Sequence, residues 1–291
     1  MEYTTLANGV KMPMLGYGVY QVTQDTCERC VLDALKTGYR SLDTAQSYFN
    51  EAQVGSAIAK SGIPREDIFL TTKVWVEHYG YEAARASVLE SMRKLQTDYL
   101  DLILLHQPFA DYYGAYRALE DLYDEGKVRA IGVSNFYPDR LVDLCAFARI
   151  RPMINQVEIH PYHQQAEAKH WMDKYSVQAE AWAPFGEGRG NLFHDPVLQK
   201  IGEQYGKTTA QVMLRWHLQR GIVVIPKSTH IERMAENFNV FDFTLSDADI
   251  AAIGALDQKQ SAFFSHQDPN MVEWFVQMVE QRKNQTGRSA H

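Results

Sequence analysis

An α/β fold, a (β/α)₈ TIM barrel with an N-terminal β-hairpin and a C-terminal tail, is what this sequence predicts. Three observations carry the prediction. Eight short apolar runs alternate with longer segments of helical spacing, as in a parallel sheet with crossover helices. Ile222–Ile225 is apolar throughout and Leu100–Leu105 is interrupted only by Asp101, as in strands covered on both faces. The alternation runs on without a Pro/Ser-rich linker through 291 residues, close to the roughly 250 of one such barrel. Residues 1–291 therefore read as a single domain.

The elements follow in order. Tyr3–Leu6 and Val10–Met12 are extended runs joined by Ala7-Asn8-Gly9, where Asn-Gly tolerates the positive φ of a tight hairpin turn. The eight barrel strands are expected at Met14–Gly18, Tyr39–Asp43, Ile68–Lys73, Leu100–His106, Val128–Val133, Met153–Gln156, Val177–Trp182 and Ile222–Pro226. Helices are expected over Asp25–Thr37, Tyr81–Leu95, Tyr112–Tyr123, Pro138–Ala148, Gln164–Tyr175 and Thr208–Gln219. In Tyr81–Leu95, Ala84, Val88, Met92 and Leu95 recur with a period near 3.6. Thr208 with Gln211 forms a capping-box start, and Gly38 and Gly126 stand where helices end. After Trp182, Ala183–Tyr205 reads as an extra loop and an extra helix. Helices near Glu232–Asn239 and Ser246–Leu256 follow the eighth strand, and Gln258–His291 reads as a polar, frayed tail.

Composition narrows the function. Hydrophobic residues make up 45% and charged residues 22%, ordinary globular values that exclude a disordered or low-complexity chain. The net charge of −7 argues against nucleic acid as a partner, so an anionic ligand needs a local basic cluster. Three cysteines in so long a chain fit a reducing cytosol better than a disulfide framework. The stretch MEYTTLANGVKMP has no apolar core of a signal peptide, and no run of about 18 apolar residues suggests a membrane span. Gly16-Tyr17-Gly18-Val19-Tyr20-Gln21 lacks the third glycine of a dinucleotide fingerprint. Cys27-x-x-Cys30 lies within a helix and reads as ordinary helix residues. His160 and His163 have no third ligand at zinc spacing, so no metal is expected.

In a TIM barrel the chemistry gathers at the C-terminal ends of the strands. There the sequence offers Asp43 with Tyr48 beyond it, Lys73 with Trp75, His106, Ser134-Asn135, Asn155-Gln156, Trp182 and Lys227-Ser228. Asp, Tyr, Lys and His in one pocket suit proton transfer to a carbonyl oxygen. A free Tyr is a poor acid at neutral pH, and a neighbouring Lys⁺ is expected to lower its pKa by stabilising the phenolate. Asp43 would hold Lys73 charged, and a neutral His106 would orient the carbonyl.

These residues carry a resemblance. Gly38-Tyr39-Arg40-Ser41-Leu42-Asp43-Thr44-Ala45-Gln46-Ser47-Tyr48-Phe49-Asn50-Glu51 is similar to the first signature of the aldo-keto reductases. Thr72-Lys73-Val74-Trp75 and Leu104-Leu105-His106 resemble that family's lysine and histidine strands. So do Glu125–Phe136, Asn155–Tyr162 and Ile225-Pro226-Lys227-Ser228-Thr229 with Arg233, Glu236 and Asn237, in the family's order from Thr4 to Trp274. The tail, with Phe263-Phe264, Asp268-Pro269 and Met271–Trp274, resembles bacterial members similar to 2,5-diketo-gluconate reductases.

The resemblance implies a catalytic tetrad of Asp43, Tyr48, Lys73 and His106, with Tyr48 the proton donor in an NADPH-dependent reduction of aldehydes and ketones. It implies that the hairpin plugs the barrel's bottom. Val19 and Tyr20 would adjoin the cofactor; Ser134, Asn135 and Gln156 would hold its carboxamide, and Trp182 would stack on the nicotinamide. Pro184, Phe185 and Gly186 would line the pyrophosphate path. Lys227, Ser228 and Arg233 would grip the 2′-phosphate, with Glu236 and Asn237 at the adenine and Thr229 also at the cofactor. Lys227 and Arg233 around a helix start suit an anion on physical grounds too. Tyr20, Tyr48, Trp75, His106 and Gln107 would face the substrate. Many members have Trp where Gln107 stands; a polar wall there favours small polar carbonyls or dicarbonyls over steroids. A cytoplasmic monomer with a small-molecule carbonyl partner is expected. The rival reading is a non-catalytic NADPH-binding relative, redox-sensing or structural, on the same scaffold. Phe263, Phe264 and Trp274 read as packing in a tail that closes one side of the pocket.

Overall fold

The computed structural model describes residues 1–288. Hairpin strands β1 (Tyr3–Thr5) and β2 (Lys11–Pro13) pair antiparallel, and only Gly9 of the turn takes a positive φ, 86°. Then come β3 (Tyr17–Gly18), β4 (Ser41–Asp43), β5 (Phe69–Val74), β6 (Leu102–Leu105), β7 (Ile131–Ser134), β8 (Ile154–Glu158), β9 (Gln178–Trp182) and β10 (Val223–Val224). They form one parallel eight-stranded sheet in sequence order. A parallel bridge between Leu15 and Val224 closes it: the Gly16 N–H donates to Val224 O at 2.8 Å, and Val224 N–H donates to Met14 O at 2.9 Å. The barrel is therefore shut, as expected.

The two glycines that mimic a nucleotide fingerprint serve this seam. A Cβ at Gly16 would sit 3.0 Å from Ser41 Oγ, and one at Gly18 would sit 3.0 Å from Ile225 O. β10 stops short of Pro226, which has no N–H to give the ladder.

Around the barrel lie α1 (Gln24–Thr37), α2 (Glu51–Lys60), α3 (Tyr81–Lys94), α4 (Tyr112–Asp124), α5 (Pro138–Phe147), α6 (Ala166–Lys174), α7 (Pro196–Tyr205), α8 (Thr209–Gln219), α9 (Ile231–Phe238), α10 (Asp247–Gly254) and α11 (Pro269–Arg288). The capping box at Thr208 and Gln211 is formed, and Gly38 and Gly126 take positive φ after α1 and α4. The extra segment after Trp182 is an irregular loop, Gly186–His194, kinked by positive φ at Glu187, Gly188, Gly190 and Asn191 and leading into α7, whose N-terminus the Asp195 carboxylate caps. The hairpin sits at the strands' N-terminal ends, where Thr4 Oγ1 donates to Gln178 Oε1 and Asn8 Nδ2 donates to Arg129 O, each at 2.9 Å. Leu6 and Met12 enter the core there.

Two findings depart from the sequence reading. Helix α2 went unread: its apolar side, Val54, Ala57 and Ile58, is interspersed with small residues. The small residues have a packing reason, since a Cβ on Gly55 would lie 2.6 Å from the Leu95 backbone. The tail is not frayed over 269–288: α11 docks Phe275 into a separate apolar cluster with Trp75, Val76 and Phe109. Met271, Val272, Met278 and Val279 pack on that cluster at helical spacing, and this tertiary contact holds the helix. Residues 289–291 of the expected tail lie outside the described residues. No helix among the described residues is long and apolar enough to cross a membrane.

Candidate active site

Every expected tetrad residue reaches the C-terminal mouth. Asp43 ends β4, and Lys73 stands near the end of β5. Both are enclosed, Lys73 at 0% and Asp43 at 2% exposure. A lysine is almost never buried without a partner. Here Nζ lies 2.5 Å from Asp43 Oδ1 and donates to Thr44 O at 3.1 Å and to Tyr48 Oη at 3.3 Å. Burial pulls the lysine's pKa down, the Asp43 carboxylate pushes it up, and the net direction is up. Lys73 is therefore an ammonium.

Tyr48 sits on the 3₁₀ turn Gln46–Tyr48 after β4. Its phenol departs from the expected lowering. Burial pushes it up to about 12, and the pull of Lys73 only partly offsets that. The phenol is thus protonated at neutral pH, with the Lys73 ammonium within hydrogen-bond reach of its oxygen. The His106 ring is 5.7 Å from the Tyr48 ring, edge on. Burial, then Lys73 and His266, hold it well below the usual histidine range, so His106 is neutral and its unprotonated state is fixed by its surroundings.

Aromatic walls stand around this group. Tyr20 is 5.1 Å from Tyr48, and Trp75 is 5.1 Å from His106. Gln107 is buried; its backbone N–H and C=O both bond the Tyr79 hydroxyl, and its Oε1 is enclosed without a partner among the described residues.

The other expected residues line the same mouth. Asn135 takes a left-handed φ of 64°, a conformation Asn tolerates. From there Nδ2 donates to His106 O, and Oδ1 accepts from Trp182 Nε1 at 2.8 Å. Ser134 Oγ donates to Gln156 O at 2.8 Å. Val19 is buried beneath the mouth, and its carbonyl accepts from Asn50 Nδ2. Pro184, Phe185 and Gly186 lead from Trp182 into the kinked loop, and Gly186 takes φ 58°.

Beyond β10, Lys227 and Arg233 are exposed and form no salt bridge among the described residues. Between them Ser228 is buried, and α9 starts at Ile231 with His230 as N-cap making no side-chain cap, which leaves the first-turn N–H groups of the helix free for an anion. Thr229 O accepts from Arg29, Glu236 Oε1 accepts from Thr208 Oγ1 at 2.7 Å, and Asn237 is buried. Two unpaired cations at an uncapped helix start fit a phosphate-bearing cofactor.

Sequence reasoning missed several neighbours. Glu180 on β9 accepts from Gln156 Nε2 at 3.1 Å, and the same nitrogen donates to Asp43 Oδ2 at 2.9 Å. Glu158 anchors the C-terminal segment: Ser261 Oγ and the Ala262 N–H donate to it, and His160 Nε2 lies 2.9 Å away. Phe263, held there, packs 5.1 Å from Trp182 under the Arg189 guanidinium. His266 stacks on Phe109. Phe264 packs as expected, 6.1 Å from Phe275, but Trp274 faces solvent, and Phe275 next to it is the buried anchor. Only the assembled tail reveals these contacts. Cys27, Cys30 and Cys145 are buried free thiols, and burial pushes each up in pKa. No group of three or more His, Cys, Asp or Glu among the described residues is placed to hold a metal.

The barrel is thus closed and parallel, with a buried Lys–Asp pair behind a tyrosine at its C-terminal mouth. Residues 7–258 match the aldo/keto reductase family, and the chain belongs to that family of carbonyl-reducing enzymes. It is 47% identical over 257 residues to a glyoxal reductase of Bacillus subtilis, covering 88% of this chain and 92% of the relative. It is 40% identical over 256 residues to a methylglyoxal reductase of Escherichia coli, covering 87% and 92%. The structure of an aldo-keto reductase of Bombyx mori in complex with NADP superimposes with a TM-score of 0.86 at 31% identity, covering 90% of this chain and 95% of that one.

Proposed function

We propose that this protein reduces small polar aldehydes, ketones or dicarbonyls to alcohols with NADPH, Tyr48 giving the proton. The observation that carries the reading is the relay at the mouth: Tyr48 Oη, Lys73 Nζ and Asp43 Oδ1 in sequence at 3.3 and 2.5 Å. Tyr48, protonated by virtue of its burial, donates to the carbonyl oxygen, and the Lys73 ammonium takes up the phenolate charge that remains. Neutral His106 offers a hydrogen bond that aims that oxygen at Tyr48. When bound, the cofactor supplies the hydride that reaches the carbonyl carbon.

Ser134, Asn135, Gln156 and Trp182 would hold its nicotinamide end and Pro184, Phe185 and Gly186 its pyrophosphate. Lys227, Ser228, Thr229 and Arg233 would hold the 2′-phosphate, with Glu236 and Asn237 at the adenine and Val19 and Tyr20 at the near wall. Tyr20, Trp75 and Gln107 would contact the substrate. The enclosed Gln107, with an unpartnered amide oxygen, supports a polar substrate, as do the glyoxal and methylglyoxal reductases among its relatives. The reading extends to a monomer acting as a single domain in the cytosol, where buried free thiols are at home.

The test follows NADPH absorbance with glyoxal, methylglyoxal and simple aldehydes. Turnover is expected with the dicarbonyls; no turnover across the panel would favour a non-catalytic relative. Arg233→Ala is expected to lower the NADPH/NADH ratio of kcat/KM by about tenfold or more, the size of a lost charge-assisted contact. An unchanged ratio would refute the phosphate assignment.

A further inference from the structure

We propose that Glu180 is a positioning residue of this reduction, held as the neutral acid so that Asp43 alone faces Lys73 as a charged carboxylate, and that it fixes the amide of Gln156. The proposal rests on the carbonyl-reductase reading and deepens it.

The argument begins with charge. Glu180 is 1% exposed. It stands in register with Gln156 on the neighbouring strand, and the Gln156 amide nitrogen spans the two carboxyls, donating one hydrogen to Asp43 and one to Glu180. Lys73 is the cation among these groups, and Asp43 already holds it. A second carboxylate would be a buried charge with one hydrogen bond and no partner, which a protein interior does not sustain; the group takes a proton instead. Its other oxygen, Oε1, has no hydrogen-bond partner. Nothing at that end donates a hydrogen bond that would hold the charge of an anion.

The surroundings offer no rescue. From β8 comes only the neutral Gln156, and on β10 the residue in register is Val223. The charged groups that act on Glu180 are Asp43 on β4, which repels the anion, and Lys73 on β5, which attracts it. Burial first, then Asp43, push its pKa up to about 8.

Two consequences follow. With Glu180 neutral, no second negative charge opposes the phenolate that develops on Tyr48 in the reduction. With both Gln156 amide hydrogens committed, its Oε1 is the atom left to meet an incoming N–H donor. Ionising Glu180 should therefore slow proton donation, and deleting its hydrogen bond should loosen Gln156.

The test is the single-turnover rate of carbonyl reduction between about pH 6 and pH 10 in the wild type, Glu180→Gln and Glu180→Met. The wild-type rate is expected to fall at least about threefold as Glu180 ionises, the scale of a neighbouring-charge effect in a buried site. Glu180→Gln should match the wild type at pH 7 within about twofold and show no such fall, because the isostere keeps the hydrogen bond without the charge. Glu180→Met should also lose the alkaline fall, but with a raised KM for NADPH that Glu180→Gln restores. An alkaline limb that persists in both variants overturns the proposal. Infrared difference spectra supply a second readout: a protonated-carboxyl band present in the wild type at pH 6.5 and absent from Glu180→Gln supports it, and no such difference overturns it. A wild type that reduces no carbonyl refutes the functional reading, while the infrared result still decides the state of Glu180.

Discussion

Replacing Asp43 by Asn tests whether the Lys73–Asp43 pair is the electrostatic centre of the barrel. The substitution preserves shape and removes the carboxylate 2.5 Å from an ammonium that is 0% exposed. Breaking a buried pair by removing one partner costs about 3–5 kcal/mol, because the remaining charge stays desolvated. Glu180 moderates this: with Asp43 neutral, the neighbouring carboxyl can ionise in its place and balance Lys73. The single variant should therefore lose about 2–3 kcal/mol, and Asp43→Asn with Glu180→Gln the full 3–5 kcal/mol. The cycle should then show a coupling of at least about 1 kcal/mol.

The pH dependence has a sign. In the wild type the folded pKa of Lys73 is raised, so the pair's contribution is complete below the unfolded lysine value and is lost as the pH climbs through the folded one. In Asp43→Asn with Glu180→Gln, where neither carboxylate faces Lys73, burial lowers the folded pKa instead. The unfolded chain then binds more protons, and the deficit shrinks as the pH rises toward about 10.4. Urea unfolding of the four proteins at pH 7 and pH 9.5 measures all of this. Asp43→Asn within about 0.5 kcal/mol of the wild type, with additive effects in the double variant, would refute the reasoning.

Two further outcomes are expected. Phe275→Ala should release α11 from Trp75 and Phe109, raising hydrogen exchange across 269–282 by at least about tenfold while the barrel melts within a few degrees of the wild type, since the cluster is separate from the core. Unchanged exchange would mean that the helix holds itself. His106 should show no NMR titration near the free value of about 6.5, because burial depresses its folded pKa. Its resistance to protonation removes stability as the pH falls below that free value, and a normal titration would contradict the buried environment described here.

Much of the architecture was legible because each strand carries its own apolar run and each mouth residue follows one. Asp43, Lys73, His106, Asn135, Gln156 and Trp182 can be placed by counting along the chain. What was illegible depended on other elements. Glu180 alternates with alanines in Gln178-Ala-Glu-Ala-Trp182, which reads as a solvated residue until the barrel closes around it. Helix α11 has modest apolar content, and its order comes from docking Phe275 against Trp75, some two hundred residues earlier in the chain. The direction of the Tyr48 shift was misread because a sequence shows Lys73 nearby but not the burial that outweighs it.

Tyr48→Phe bears most directly on the central claim. It removes the hydroxyl 3.3 Å from Lys73 and keeps the ring. Single-turnover reduction of methylglyoxal should fall by at least ~10²-fold, the typical contribution of general acid catalysis, with NADPH affinity unchanged. Reduction within a few fold of the wild type would contradict Tyr48 as the proton donor.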